Sequence, residues 1–362
     1  MQLNKSIGLL LICLVWGNAA FADNVRISPD NNAYIYTGRI DFSDPRAPLL
    51  SWPGTSIKAN FSGTALSVIL DDDQGKNFFN VIIDGDDRYP YVIQAEKGEK
   101  TYWLSDSLGE GKHSVEIYKR TEGEEGNTAF KGLVLAEGQK LLPPPMQLPH
   151  KIEIYGDSIT SGMGNEGAYN GADDNLSEKN NYLAYGSIAA RQLDAELHTI
   201  SQSGIGIMVS WFPFIMPQFY DQLSAVGNND SQWDFSQWTP DVVLINLFQN
   251  DSWLVEREGR MAVVPDEQQR VEAYIDFVRS IRQKYPEAEI ICALGSMDAT
   301  RKGSDWPDYL RQAVETMRDK FDDQKLSTLF FDFNGYGQHP RVAQHQANAD
   351  KLTHFIQQKM HW

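Results

Sequence analysis

Five short apolar runs constrain this chain more than any other feature. They are "KIEIY" from Lys151, "AELHTI" from Ala195, "DVVLINL" from Asp241, "EIICAL" from Glu289 and "STLFFDF" from Ser327. Runs of this length, apolar on successive positions, read as strands buried on both faces. Helical patterns lie between and after them. "DEQQRVEAYIDFVRSIRQKYP" puts Val271, Ile275, Val278 and Ile281 on one face. "SDWPDYLRQAVETMRDKF" opens on a Ser/Asp cap with Pro307 and buries Leu310, Val314 and Met317. "VAQHQANADKLTHFIQQKM" closes the chain. Strands alternating with helices predict a parallel sheet covered on both faces, with the site beyond the carboxyl ends of the strands.

The chain ahead of these runs has a different character. "LLPPPMQLPH", Leu141 to His150, holds four prolines within seven residues, which neither helix nor central strand tolerates; it reads as a semi-rigid linker. Before it come short strands punctuated by turns. "ANFSGTALSVILDDD" alternates around Ser-Gly-Thr. "FFNVIIDGDDRYPYVIQ" pairs two apolar runs across Asp-Gly-Asp-Asp. "KTYWLSDSLGEGKHSVEIYKRTE" sets Gly-Glu-Gly-Lys between two more. This spacing predicts a β-sandwich of jelly-roll type. The acid-rich tips at Asp71–Asp73 and Asp84–Asp87 are calcium candidates or, more simply, solvated turns.

The first 22 residues read as an export leader: Lys5, an apolar run from Ile7 to Trp16, and a small-x-small site at Ala20-Phe21-Ala22. The expected division is a leader at 1–22, a sandwich at 23–140, a linker at 141–149 and an α/β unit at 150–362. The mature chain, starting at Asp23, is expected to be secreted, without a membrane anchor, and monomeric. It would keep one cysteine, Cys292, inside an apolar strand, so no internal disulfide is expected. A formal charge of -17 over 362 residues repels nucleic acid and anionic membrane and is compatible with a neutral polysaccharide.

"KIEIYGDSITSGMGNEG", Lys151 to Gly167, runs from the first parallel strand into Gly-Asp-Ser. Gly162, Gly164 and Gly167 fit a dinucleotide pattern by letter, but they come well after the strand ends, and no phosphate-loop Lys-Ser/Thr is present. The alternative is a nucleophile: Ser158 sits in the turn right after the strand. Its hydroxyl needs a base. His339, between the last strand and the last helix and followed by Pro340, is the histidine placed for it. A tetrahedral oxyanion needs donors. The Ser158 N–H, the Gly204 N–H in "SQSGIGIM" and the Asn250 amide in "NLFQNDSW" stand after successive strands. Asp157 reads as a brace of the first turn.

"GDSIT", "SGIG", "QND" and "HP" resemble the four blocks of the GDSL/SGNH hydrolase superfamily, whose second-half fold is a three-layer, flavodoxin-like α/β domain. "LLSWPGTSIKANFSGT", "VIIDG", "LGEGKHSVEIYKRTEGEEG" and "FKGLVLAEG" are similar to the sandwich that precedes that domain in carbohydrate esterase family two. The resemblance implies a metal- and cofactor-free removal of acetyl groups from plant cell-wall polysaccharides of the acetylxylan and acetylated-mannan type. Ser158 would be the nucleophile, His339 the base, and Ser158, Gly204 and Asn250 the oxyanion donors. The rivals are a lipase or thioesterase on the same scaffold and a non-catalytic carbohydrate-binding protein.

Two positions depart from the superfamily pattern. An acid usually stands two or three residues before the histidine, where this chain has Gly337 and Tyr336. The expectation is therefore a Ser-His dyad oriented by a backbone carbonyl near Tyr336, with Asp332 as rival orienter. Phe248 replaces the usual glycine of the third block. Trp253, Trp211, Trp306 and Tyr336 are candidate sugar contacts.

Overall fold

The computed structural model describes residues 24–333 and 338–362. The proposed leader, Tyr336 and Gly337 lie outside the described residues.

Eleven strands form the first part of the chain: β1 (Val25–Ile27), β2 (Ile35–Thr37), β3 (Ile40–Asp41), β4 (Leu49–Leu50), β5 (Ser56–Ser62), β6 (Leu66–Asp72), β7 (Phe78–Ile83), β8 (Tyr91–Gln94), β9 (Gly98–Ser105), β10 (Lys112–Lys119) and β11 (Thr128–Leu135). They build two antiparallel sheets. One runs β3-β4-β11-β6-β9, with β1 also paired to β11; the other runs β2-β5-β10-β7-β8. Val68, Leu70, Phe130 and Leu133 of the first sheet meet Phe61, Phe79, Val81, Val115 and Ile117 of the second in one buried cluster. This is the sandwich that the sequence led us to expect.

Its turns behave in two ways. β7 and β8 are a hairpin across Asp84–Asp87. The Ser-Gly-Thr turn between β5 and β6, and the Gly-Glu-Gly-Lys turn between β9 and β10, instead carry the chain from one sheet to the other. The acid tips serve their own turns. Asp72 accepts from the Gln74 and Gly75 N–H groups and from Asn77; Asp84 accepts from the Ser114 N–H and pairs with His113.

The proline-rich segment is strapped to the sandwich. The Leu142 N–H donates to the Asn60 carbonyl at 2.8 Å and Asn60 Nδ2 to the Pro143 carbonyl at 2.9 Å. It is more tightly held than a free spacer.

The second part has β12 (His150–Gly156), α1 (Ser158–Ser161), α2 (Tyr185–Gln192), β13 (Ala195–Ser201), β14 (Val242–Asn246), α3 (Gln249–Glu256), α4 (Glu267–Lys284), β15 (Glu289–Leu294), α5 (Trp306–Phe321), β16 (Leu326–Phe330) and α6 (Val342–Met360). All five strands are parallel, in the order β13-β12-β14-β15-β16. α4 and α5 pack on one face of the sheet, α2 and α6 on the other. α4 starts on an Asp266–Gln269 capping box. α5 does not use the expected side-chain cap: Asp305 stands at its N-terminus without a capping hydrogen bond, and Pro307 alone marks the start. Cys292 is fully buried, and burial pushes its thiol up to about 12, so it is inert core.

The two parts share a core. Trp52 of the sandwich is 1 % exposed, packs its ring 5.0 Å from Phe219, and donates through Nε1 to the Leu223 carbonyl at 2.8 Å. Arg39, fully buried, meets Glu153 of β12 at 2.9 Å and the carbonyls of Tyr220 and Gln222.

Candidate active site

Strand order brings the site together. β12 lies between β13 and β14, so the chain passes to opposite sides of it and leaves a crevice at its carboxyl end. Ser158 is the first residue of α1, immediately above that end. Asp157 caps this short helix, its Oδ1 accepting the Ile159 N–H at 3.0 Å. Asp157 is thus the brace that the sequence reading assigned. Burial holds its carboxyl up at about 7.

His339 comes in from the segment before α6. Its Nε2 lies 2.7 Å from Ser158 Oγ, across 181 residues of chain. Its Nδ1 lies 2.8 Å from Asp173 Oδ2, and its backbone N–H donates to the same oxygen at 3.1 Å. Asp173 is the residue that the sequence reading missed. It sits in the polar stretch "NEGAYNGADDNLSEKNN" after α1. A dyad oriented by a carbonyl near Tyr336 is therefore not what forms. Asp332 is no orienter either: its side chain is 92 % exposed and pairs with Lys351.

Asp173 is itself fixed. Arg341 Nη1 donates to its Oδ1 at 2.6 Å, while the same guanidinium donates to the carbonyls of Ala168, Gly171 and Gly164. Partial burial would raise the Asp173 carboxyl, but hydrogen bonds from His339 and Arg341 outweigh it and hold the group below the ordinary carboxylate value. It stays ionised, as a partner for an imidazolium must. Arg120 of the sandwich braces the same loop from outside. It donates to the Ser177 carbonyl at 2.7 Å and the Lys179 carbonyl at 3.2 Å, and it pairs with Glu166.

Two of the expected oxyanion donors, Gly204 and Asn250, meet at the loop after β13. Gly204 has φ +84°, and a Cβ there would come within 3.0 Å of the Trp211 ring, so both backbone shape and space call for glycine. Asn250, at the start of α3, donates to the Ile205 carbonyl at 3.0 Å and makes a long 3.4 Å contact with Asp157 Oδ2. Asp251 accepts from the N–H groups of Ile207, Met208 and Val209. Burial nevertheless lifts its carboxyl to about 6. Phe248 keeps the left-handed conformation that a glycine would take there, with φ +89°, and sinks its ring against Tyr274 and Trp306.

The candidate sugar contacts part company. Trp211 is 45 % exposed and stands beside Gly204, its backbone N–H donating to the Gly204 carbonyl at 3.0 Å. Trp253 is half-buried, and its Nε1 is engaged by Asp298 at 2.6 Å. Trp306 is 1 % exposed and belongs to the core, so it is no sugar platform; its indole donates to Glu256. The remaining histidines lie elsewhere. His345 accepts the Tyr185 N–H, and His198 stacks on Trp238. Among the described residues, no group of three or more His, Cys, Asp or Glu is placed to hold a metal ion.

A serine, a histidine and an aspartate in series at the carboxyl edge of a doubly wound sheet define the serine acyl-hydrolase class. Comparison with known proteins narrows this. Residues 36–145 match the carbohydrate esterase 2 N-terminal family, and residues 154–357 match the GDSL-like lipase/acylhydrolase family. The chain is 35% identical to the cellulase/esterase CelE of Acetivibrio thermocellus over 92% of its own length; that match spans 40% of CelE. It is 27% identical to an acetylxylan esterase / glucomannan deacetylase of Cellvibrio japonicus, over 90% of this chain and 88% of that one. The structure of a family two carbohydrate esterase from Clostridium thermocellum in complex with cellohexaose superposes with a TM-score of 0.80 at 34% identity, covering 91% of this chain and 99% of that chain. The protein belongs to carbohydrate esterase family two.

Proposed function

We propose that the protein is a carbohydrate O-acetyl esterase acting on acetylated plant cell-wall polysaccharides of the xylan or glucomannan type. Ser158 Oγ attacks the acetyl carbonyl while His339 Nε2 takes its proton. The carbonyl π bond opens to an oxyanion received by the N–H groups of Ser158 and Gly204 and by the Asn250 amide, whose long contact to Asp157 leaves one N–H free to turn. The C–O bond to the sugar breaks, and the sugar oxygen leaves with the proton from His339. Water then repeats the sequence on the acetyl-enzyme, releasing acetate and restoring Ser158. Asp173 holds the Nδ1–H and stabilises the imidazolium formed in each half. No metal or cofactor enters these steps.

The observation that carries the reading is the pair of contacts on the one imidazole, 2.7 Å to Ser158 and 2.8 Å to Asp173. The two activities by which the Cellvibrio japonicus relative is named support the substrate class. The polar loop that holds Asp173 suits a sugar better than a long acyl chain. In this reading Trp211, 45 % exposed and with the Arg260 guanidinium 4.0 Å from its ring centroid, offers the uncovered part of its ring to a pyranose beside the oxyanion loop. The chain divides as the composition suggests, into sandwich 23–140, linker 141–149 and esterase unit 150–362, and residues 1–22 serve as an export leader.

NMR of acetate release from acetylated xylan and acetylated glucomannan tests the proposal. Wild type should release acetate from at least one of them and Ser158→Ala from neither. Chromogenic acetate esters should be cleaved far faster than octanoate esters; the reverse order would make the protein a lipase. No release from any acetyl ester would leave only the carbohydrate-binding reading. Trp211→Ala should raise KM for the polysaccharide about tenfold, from the loss of roughly 1–1.5 kcal/mol of ring contact, with little change in kcat.

A further inference from the structure

Glu122 belongs to the sandwich, in the turn that follows β10, yet it reaches the loop after β13. Its carboxylate is 1 % exposed. Oε2 accepts the Ser203 backbone N–H at 2.6 Å and the Ser161 hydroxyl at 3.0 Å; Oε1 accepts the Ser203 hydroxyl at 2.6 Å and Lys179 Nζ at 3.1 Å. Ser203 immediately precedes Gly204. Ser161 lies in the same short helix as Ser158. Lys179 closes the loop that carries Asp173, and its ammonium also meets Glu125 Oε1 at 2.6 Å. One buried carboxylate therefore touches the three segments that supply the nucleophile, the oxyanion donor and the orienting aspartate.

We infer that Glu122 is a positioning residue for acyl transfer: it fixes the Ser203–Gly204 peptide so that the Gly204 N–H points at the developing oxyanion, which makes the sandwich part of the catalytic apparatus. The inference rests on the esterase reading above. A two-pronged grip on Ser203 N–H and Oγ leaves that residue little rotational freedom, and a donor that is already aimed needs no reorganisation as charge develops. The other flank of the loop is held independently by Asp251, through the N–H groups of Ile207, Met208 and Val209. Burial alone would raise the Glu122 carboxyl. Lys179 and the Ser203 bonds overcome that and keep it below its ordinary value, so the grip is ionic at neutral pH. Glu122 touches no reacting atom, so its effect must appear in the stabilisation of tetrahedral charge and not in the binding of sugar.

The experiment uses the full chain and three readouts: kcat and KM on a chromogenic acetate ester, the affinity of methylboronic acid, which becomes a tetrahedral anion on a serine hydroxyl, and the affinity of an unacetylated oligosaccharide of the polysaccharide that wild type deacetylates. Glu122→Gln keeps the volume and removes the charge. It should lower kcat by about tenfold or more, weaken the boronate by a similar factor, and leave KM and oligosaccharide affinity within about twofold. Ser203→Ala removes one of the two prongs and should show the same pattern at smaller size; it decides the matter if Glu122→Gln does not fold. Wild-type kcat and boronate affinity in a folded Glu122→Gln would overturn the inference. So would equal losses of boronate and oligosaccharide, which would mean general distortion. An inactive wild type would sink the esterase reading and this inference together; an active wild type with an unaffected variant sinks this inference alone.

Discussion

Asp173 and Asp332 make opposite claims on His339, and the structure separates them cleanly. Asp173→Asn should keep the fold and lose about 10²–10⁴ in kcat, because the amide would favour the wrong imidazole tautomer. Asp332→Ala should remain near wild type; steady-state rates on an acetate ester compare the two. Ser158 and His339 could be read in the sequence because each follows an apolar strand, and a parallel sheet gathers strand ends at one edge. Asp173 could not. It lies in an irregular stretch with no periodicity, next to Asp174, and the tertiary contacts to His339 and Arg341 select which of the two carboxylates is held. Asp332 is nearer to His339 in sequence, but it lies just past the end of β16 with its side chain in solvent. Asp157 offers a pH test. Its folded value of about 7 lies above the ordinary 3.8, so its contribution to stability is fully present below about pH 4 and is lost as pH rises through about 7. A rise of that size corresponds to on the order of 4 kcal/mol. Asp157→Asn should therefore gain in melting temperature relative to wild type between pH 5 and pH 8; a constant offset across that range would contradict the buried, raised carboxyl.

At the scale of elements, the third block shows how a departure from a sequence pattern is absorbed. Phe248 stands where a glycine is usual and accepts a φ of +89° at the start of α3. That conformation costs about 1–3 kcal/mol for a side-chain-bearing residue, and the fully buried ring offsets it. Substitution should reverse the usual ranking of small residues. Phe248→Ala loses the ring and keeps the strain, whereas Phe248→Gly loses the ring and relieves it. Urea unfolding should find the glycine variant more stable than the alanine variant by about 1 kcal/mol; the opposite order would mean that the local backbone relaxes. The sandwich turns mark where local reading stops. Ser-Gly-Thr and Gly-Glu-Gly-Lys look like hairpin turns, yet each links strands of different sheets. Alternation tells which face of a strand is apolar, but both inner faces of a sandwich are apolar, so it cannot tell which sheet the strand joins.

Over the whole molecule, the strand and helix patterns pointed to a β-sandwich followed by a parallel α/β unit, and those two architectures were legible. Their shared core was not, because residues such as Arg39, Trp52, Arg120 and Glu122 look unremarkable within their own segments and acquire roles only across the interface. Arg39 and Glu153 are both fully buried there. Arg39→Met should cost about 3–5 kcal/mol by stranding the Glu153 charge, and adding Glu153→Gln should recover most of it; calorimetry of the single and double variants reads the difference. With the core continuous across both units, wild type should unfold in one transition in the same experiment, not two. Catalysis, at this scale, requires that the fold turn Ser158 into an activated nucleophile. Peptide-level mapping of a fluorophosphonate label tests that requirement most directly: one modified residue, Ser158, is expected in wild type, with that labelling lost in His339→Ala. A label on another residue, or acetate release that survives complete labelling of Ser158, would contradict it.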